Sequence, residues 1–148
     1  MLNPFDLKSA LLAKHAQHVV LIHFPIGLYL AGTFFELCAG IFRKHNLGEV
    51  ARWNFVAAAV MSLPTAATGL LAWRWALEGQ PLKGLLRLHL IFAVLAIVGI
   101  WTTVWLRSSL SRSERPADFR LVLCLECGVS LLIGMAAHIG GFLSGVNI

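Results

Sequence analysis

Four long apolar stretches alternate with short polar links along the chain, at about residues 19–42, 55–73, 88–106 and 121–143. Crossing roughly 30 Å of hydrocarbon takes about 20 helical residues at about 1.5 Å each, so every stretch is long enough to span a bilayer. None of them shows the alternation of a barrel strand, and in lipid only helices or closed barrels satisfy the backbone. The pattern therefore predicts an all-α integral membrane four-helix bundle, one domain over residues 18–148 with spans at about 18–42, 53–76, 87–107 and 120–145. Residues 1–17 set Phe5, Leu7, Leu11 and Leu12 beside Asp6, Lys8 and Lys14, an amphipathic segment expected to lie along the interface.

Three polar links separate the spans. Residues 43–52 contain Asn46 and Gly48 as turn residues, residues 76–87 are broken by Gly79 and Pro81, and residues 107–120 are the most hydrophilic part of the chain. The first apolar run is too long for a cleavable leader, contains His23 and Glu36, and is followed by Arg43 and Lys44 instead of a small-residue cleavage site. Gly32, the alanines at 57–59, Gly69, Gly134 and Ala136 offer small surfaces for close helix approach. Pro25 and Pro64 each remove a backbone hydrogen bond within a span and are expected to bend it, leaving a carbonyl for another group. No internal repeat is visible in the residues themselves.

Composition agrees with the pattern. Of 148 residues, 58% are apolar and 13% charged, and a mean hydropathy of +0.78 is far from that of a soluble globule. The pI near 9.6 does not point to nucleic acid, because the twelve Lys and Arg residues are scattered over helix ends and links without a basic stripe. With four spans the termini and the second link share one side, which carries Lys8, Lys14, Arg74, Lys83 and Arg87. The first and third links carry Arg43, Lys44, Arg52, Arg107, Arg112, Arg115 and Arg120, and seven against five makes them cytoplasmic by the positive-inside rule. Both termini are then expected on the periplasmic side.

Of six histidines, His18, His23, His89 and His138 lie near the ends of three different spans on that terminal side. His15 is expected at the interface and His45 at the opposite face. Imidazoles are expensive in hydrocarbon, common as haem ligands and frequent on zinc or copper, so a set of them at one depth points to a bound haem or metal. The bland alternative is hydrogen bonding between helices. His23 lies five residues beyond His18, about 140° around an ideal helix, so the two are not expected to serve one iron together. Residues 124–128 read Cys-Leu-Glu-Cys-Gly, which lacks the His of a covalent haem site, and Cys38, Cys124 and Cys127 read as buried thiols acting as small apolar residues. Glu36 and Glu126 should face the bundle interior, for hydrogen bonding, proton relay or a quinone head, and Thr65 and Thr68 can bond their own backbone or a buried ligand.

The segment His18-Val-Val-Leu-Ile-His23-Phe-Pro25-Ile, the single His89 opening the third span, and the glycine-rich end from Gly140 resemble a bacterial family of four-helix membrane proteins, domain of unknown function 2231. The resemblance runs from about residue 15 to the end, and its most specific part is the H-x4-H-F-P-I string. Family members more often carry Pro after the first His, where this chain has Val19. Some members look like electron-transfer components, including fusions with Rieske-type domains, which implies that His18, His23 and His89 serve a b-type haem in a bacterial inner membrane. Depth matching adds His138. The expectation is a b-type haem-binding electron-transfer subunit, with one haem or two, of a larger respiratory or photosynthetic complex, or one that docks a c-type cytochrome. His23 is the leading ligand with His89 or His138 opposite, His18 serves a second haem or a propionate, and Arg87 and Lys83 pair with propionates. The competing expectations are a structural or assembly subunit binding lipid, pigment or quinone, and a copper or zinc site made by the same histidines.

Overall fold

A computed structural model describes residues 16–75, 77–110 and 116–144. They form five helices: α1 (Ala16–Leu21), α2 (His23–Phe42), α3 (His45–Trp75), α4 (Gly84–Leu110) and α5 (Pro116–Leu143). Four rods are long and apolar enough to cross a membrane, Gln17–Phe42, His45–Trp75, Gly84–Ser109 and Phe119–Leu143, as the hydropathy pattern predicts. The amphipathic N-terminal segment lies outside the described residues except for Ala16 and Gln17, which are already helical.

Helices α1 and α2 form the first rod together, since Ile22 between them keeps right-handed helical backbone and bonds to the His18 carbonyl at 3.0 Å. Pro25 sits in the first turn of α2. The carbonyl its missing N–H would have served, that of Leu21, instead accepts the Thr65 hydroxyl of α3 at 3.2 Å. Helix α3 runs on through Pro64, flanked by the Thr65 and Thr68 hydroxyls, which donate to the Met61 and Pro64 carbonyls at 2.9 Å each.

The first link is far shorter than residues 43–52. Arg43 takes a left-handed conformation with φ 53°, Lys44 follows, and the helix restarts at His45 with Asn46 and Gly48 inside it. Polarity ends a membrane span without ending a helix, because water replaces lipid around a backbone that remains internally bonded. The second link turns on positive φ at Glu78, Gly79 and Gly84 and is closed by the Trp73 indole donating to the Gln80 carbonyl. Of the third link, residues 111–115 lie outside the described residues.

Helix α2 packs most extensively on α3, and α4 on α5; the two hairpins then meet through α3 against α4 and α2 against α5. Helices α2 and α4 therefore face each other across the diagonal. The core between them is Tyr29, Ala51, Phe55, Ala58, Ala59, Ala96, Ile100, Val129 and Ile133. Close approach depends on particular glycines: a Cβ on Gly32 would stand 2.9 Å from the Phe55 ring, and one on Gly99 2.5 Å from Val129. Gly27 and Gly134 have nothing within 4 Å and face outward.

The hairpins use the same positions 71 residues apart. Pro25 and Ala96, Tyr29 and Ile100, Gly32 and Thr103, Ala51 and Val122, Phe55 and Glu126, Ala58 and Val129, and Ser62 and Ile133 are all buried in corresponding places. This is the register of two copies of one hairpin about an axis along the membrane normal. The repeat is invisible in the sequence because the paired side chains, such as Phe55 and Glu126, differ in chemistry while sharing only their burial.

Candidate cofactor site at the histidine end

The repeat is clearest at the histidines. His18, on α1, directs Nδ1 to the Thr65 carbonyl of α3 at 3.1 Å, with the Thr68 hydroxyl at 3.4 Å. His89, at the start of α4, directs Nδ1 to the Ala136 carbonyl of α5 at 3.0 Å. In both cases the carbonyl lies 47 residues after the histidine. Each ring also rests on a glycine one helical turn beyond that carbonyl: a Cβ on Gly69 would come within 2.9 Å of His18 Cε1, and one on Gly140 within 3.1 Å of His89 Cε1. Two imidazoles are thus seated in equivalent sockets on diagonal helices.

This seating has a chemical consequence. A carbonyl only accepts, so Nδ1 carries the proton and donates; in the neutral ring Nε2 then keeps a free lone pair. Neither Nε2 has a hydrogen-bond partner among the described residues. A backbone carbonyl on the far nitrogen is also what orients metal-bound histidines and raises their basicity.

The other two histidines are placed differently. His23 is exposed on the outer surface, as the 140° rotation from His18 requires, and His138 is also exposed, edge-on to the Phe142 ring at 5.0 Å. Depth matching from sequence therefore retained four histidines where helix rotation turns two inward. Lys83 and Arg87 are exposed near the same end. Among the described residues no group of three or more His, Cys, Asp or Glu side chains converges. Cys38 is half-buried while Cys124 and Cys127 are exposed, so the last two present their thiols outward and are not buried packing residues. The socket glycines and Thr65 could have been found only from the recurring 51-residue spacing of His18 to Gly69 and His89 to Gly140.

The opposite end of the interior carries an ion triad. Arg107 Nε donates to Glu126 Oε1 at 2.6 Å, and Arg107 Nη2 lies 2.7 Å from Glu36 Oε2. The guanidinium also sits 4.9 Å from the centre of the Phe55 ring. Sequence reading placed Arg107 in the aqueous third link, whereas it lies inside α4 at 16% side-chain exposure. Removing it from the link leaves six cationic residues against five in the topology count. Between the two ends, Tyr29 and Thr103 share a 2.8 Å hydroxyl bond across the diagonal, and Thr33 meets Ser130 at 3.1 Å.

The family model described as predicted membrane protein (DUF2231) matches residues 14–146, and the chain belongs to that family. No curated protein and no solved structure matches it.

Proposed function

We propose that this DUF2231 protein is a membrane electron-transfer subunit that holds one b-type haem between His18 and His89. The reading is carried by one observation: two inward imidazoles at equivalent positions, each with Nδ1 on a backbone carbonyl and Nε2 unpaired. The donor set suits haem better than zinc. A structural zinc site takes four ligands and a catalytic one takes three from the protein, while haem brings four nitrogens and needs only two axial ligands. Copper with two nitrogen ligands is the remaining metal alternative.

Held by these two histidines, haem would supply one-electron redox chemistry. The chain's own residues would orient it. The Thr65 and Ala136 carbonyls fix the tautomer and rotation of the two rings, and Gly69 and Gly140 give the rings room against α3 and α5. Lys83 and Arg87, at the rim, are suited to the propionate carboxylates. With the positive-inside bias, this end faces the periplasm of a bacterial inner membrane, where a c-type cytochrome or a larger redox complex can dock.

The competing reading is a non-catalytic subunit whose histidines tie helices together, and it draws on the same bonds, because His18 already links α1 to α3 and His89 links α4 to α5. Absorption spectra of protein purified from haem-replete cells separate the two. Reduced-minus-oxidised b-haem bands that disappear in His18→Ala and in His89→Ala, but persist in His23→Ala and His138→Ala, are expected. A colourless wild-type protein would sink the haem reading, and metal analysis of that sample would then test copper.

A further inference from the structure

Two carboxylates share one guanidinium at the end of the interior away from the histidines. Arg107 of α4 reaches Glu126 of α5 through Nε at 2.6 Å and Glu36 of α2 through Nη2 at 2.7 Å. Fully ionised, the triad has one negative charge in excess, on side chains only 16% (Arg107), 8% (Glu36) and 0% (Glu126) exposed. Inside spans that cross hydrocarbon such an excess is costly, and the group sheds it by taking up a cation. The other titratable groups around Glu126 do not cancel it. Tyr29 of α2 is a neutral phenol bonded to Thr103, Cys127 of α5 presents its thiol outward, and Arg52 of α3 is exposed, with its guanidinium 5.9 Å from the centre of the Trp53 ring.

Space decides which cation, and surroundings decide which carboxylate. The crevice of about 190 Å³ beside Arg107 is lined by Arg52 and Arg107 but by neither glutamate, so it gives a metal ion no seat on the carboxylates, whereas a proton needs no cavity. Glu36 is held as an anion. Its Oε2 faces Arg107 and lies by the first turn of α3, 3.9 Å from where a Cβ on Gly48 would stand, and a helix N-terminus favours negative charge. Glu126 is 0% exposed, and its Oε2 has no hydrogen-bond partner. We propose that the triad is a proton-binding site in which Glu126 carries a proton on Oε2 at neutral pH. A solvent proton forms an O–H bond with Oε2, the excess charge disappears, and Oε1 goes on accepting from Arg107 Nε as the carbonyl oxygen of the acid. The new O–H has no acceptor, but an unmade neutral hydrogen bond costs less than an unpaired buried charge. Eighteen residues separate His18 from Glu36 and His89 from Arg107, about 27 Å of helix at about 1.5 Å per residue, so the site stands independently of the haem reading.

Infrared absorption of the full chain in dodecyl maltoside, a detergent without carbonyl groups, tests this at neutral pH. Expected is a carboxylic-acid C=O band above amide I that is lost in Glu126→Gln. It should be lost equally in Glu36→Gln, because Arg107 then matches the Glu126 carboxylate alone and the proton leaves. Glu126→Asp should shift the band and Glu36→Asp should leave it in place, with helical circular dichroism unchanged in all four variants. The band should persist in His18→Ala; its loss there would assign it to a haem propionic acid and overturn the proposal. A wild-type chain without the band would also overturn it, as would a band that survives Glu36→Gln or one that shifts with Glu36→Asp instead. If the band is absent and sodium raises the melting temperature of the wild-type chain but not of Glu126→Gln, the occupant is a metal ion and the proton assignment fails.

Discussion

At one end of the bundle interior, His18 and His89 each commit one ring nitrogen to a backbone carbonyl and keep the other unpaired. Eighteen residues further along the same two rods, Glu36 and Arg107 occupy the next equivalent pair of positions, and there the groups are joined to each other and to Glu126. The histidine end has two like groups from symmetric sockets; the other end has unlike charges from a broken symmetry. Two ring nitrogens that both only accept cannot satisfy one another and remain available to a ligand. Opposite charges in a low dielectric close on each other and become structural, because an unpaired ion there costs several kcal/mol.

The largest expected effect comes from breaking the closed end. Arg107→Met leaves two buried carboxylates without a counter-charge and should destabilise the protein by about 3–5 kcal/mol, read as denaturant unfolding in detergent micelles. Adding Glu36→Gln and Glu126→Gln to that variant should restore most of the loss; no recovery would mean that the triad contributes by packing and not by charge.

Filling the sockets tests the open end. Gly69→Val and Gly140→Val push the His18 and His89 rings off their helices, and each should cost about 1–3 kcal/mol by overpacking. Both should also abolish b-haem absorbance, and loss in one variant alone would break the equivalence of the two sockets. Thr65→Val removes the donor to the Leu21 carbonyl above Pro25 but keeps the carbonyl that holds His18, so it should cost about 1–3 kcal/mol for an orphaned acceptor, with the haem spectrum retained.

Tyr29→Phe should have the smallest effect, about 0.5–1.5 kcal/mol, since Thr103 keeps its bond to the Gly99 carbonyl at 2.9 Å. Midway between the ends, this substitution should leave the haem spectrum unchanged. A change would show that the histidine end is coupled to the rest of the interior through the Tyr29–Thr103 contact, and thermal melts of the same samples give its stability cost.

Much of this was legible in the residues. Four spans, the helical class and the confinement of His18, His23, His89 and His138 to one side follow from runs of apolar residues whose length is dictated by the bilayer. Rotation around a helix was less legible. His23 was the leading ligand because of its motif, yet it faces outward, and His18 faces inward because Thr65 and Gly69 on another helix receive it. A span exposed to lipid on one side and to protein on the other is apolar all round, so no amphipathic stripe marks its inner face. For the same reason Arg107 read as a link residue: its partners, Glu36 and Glu126, come from two other helices.

By itself the sequence determined what solvent each segment must meet, because transfer of apolar and charged side chains between water and lipid depends on composition and length alone. It thereby set the number of helices, their approximate ends and the end of the bundle at which the histidines gather. Tertiary structure decided which of those histidines are seated on a neighbouring helix, that two hairpins repeat one pattern of burial, and that one arginine lies between two carboxylates. Each of those facts is a relation between helices, fixed by which small residues let backbones approach and which polar groups find partners across the gap.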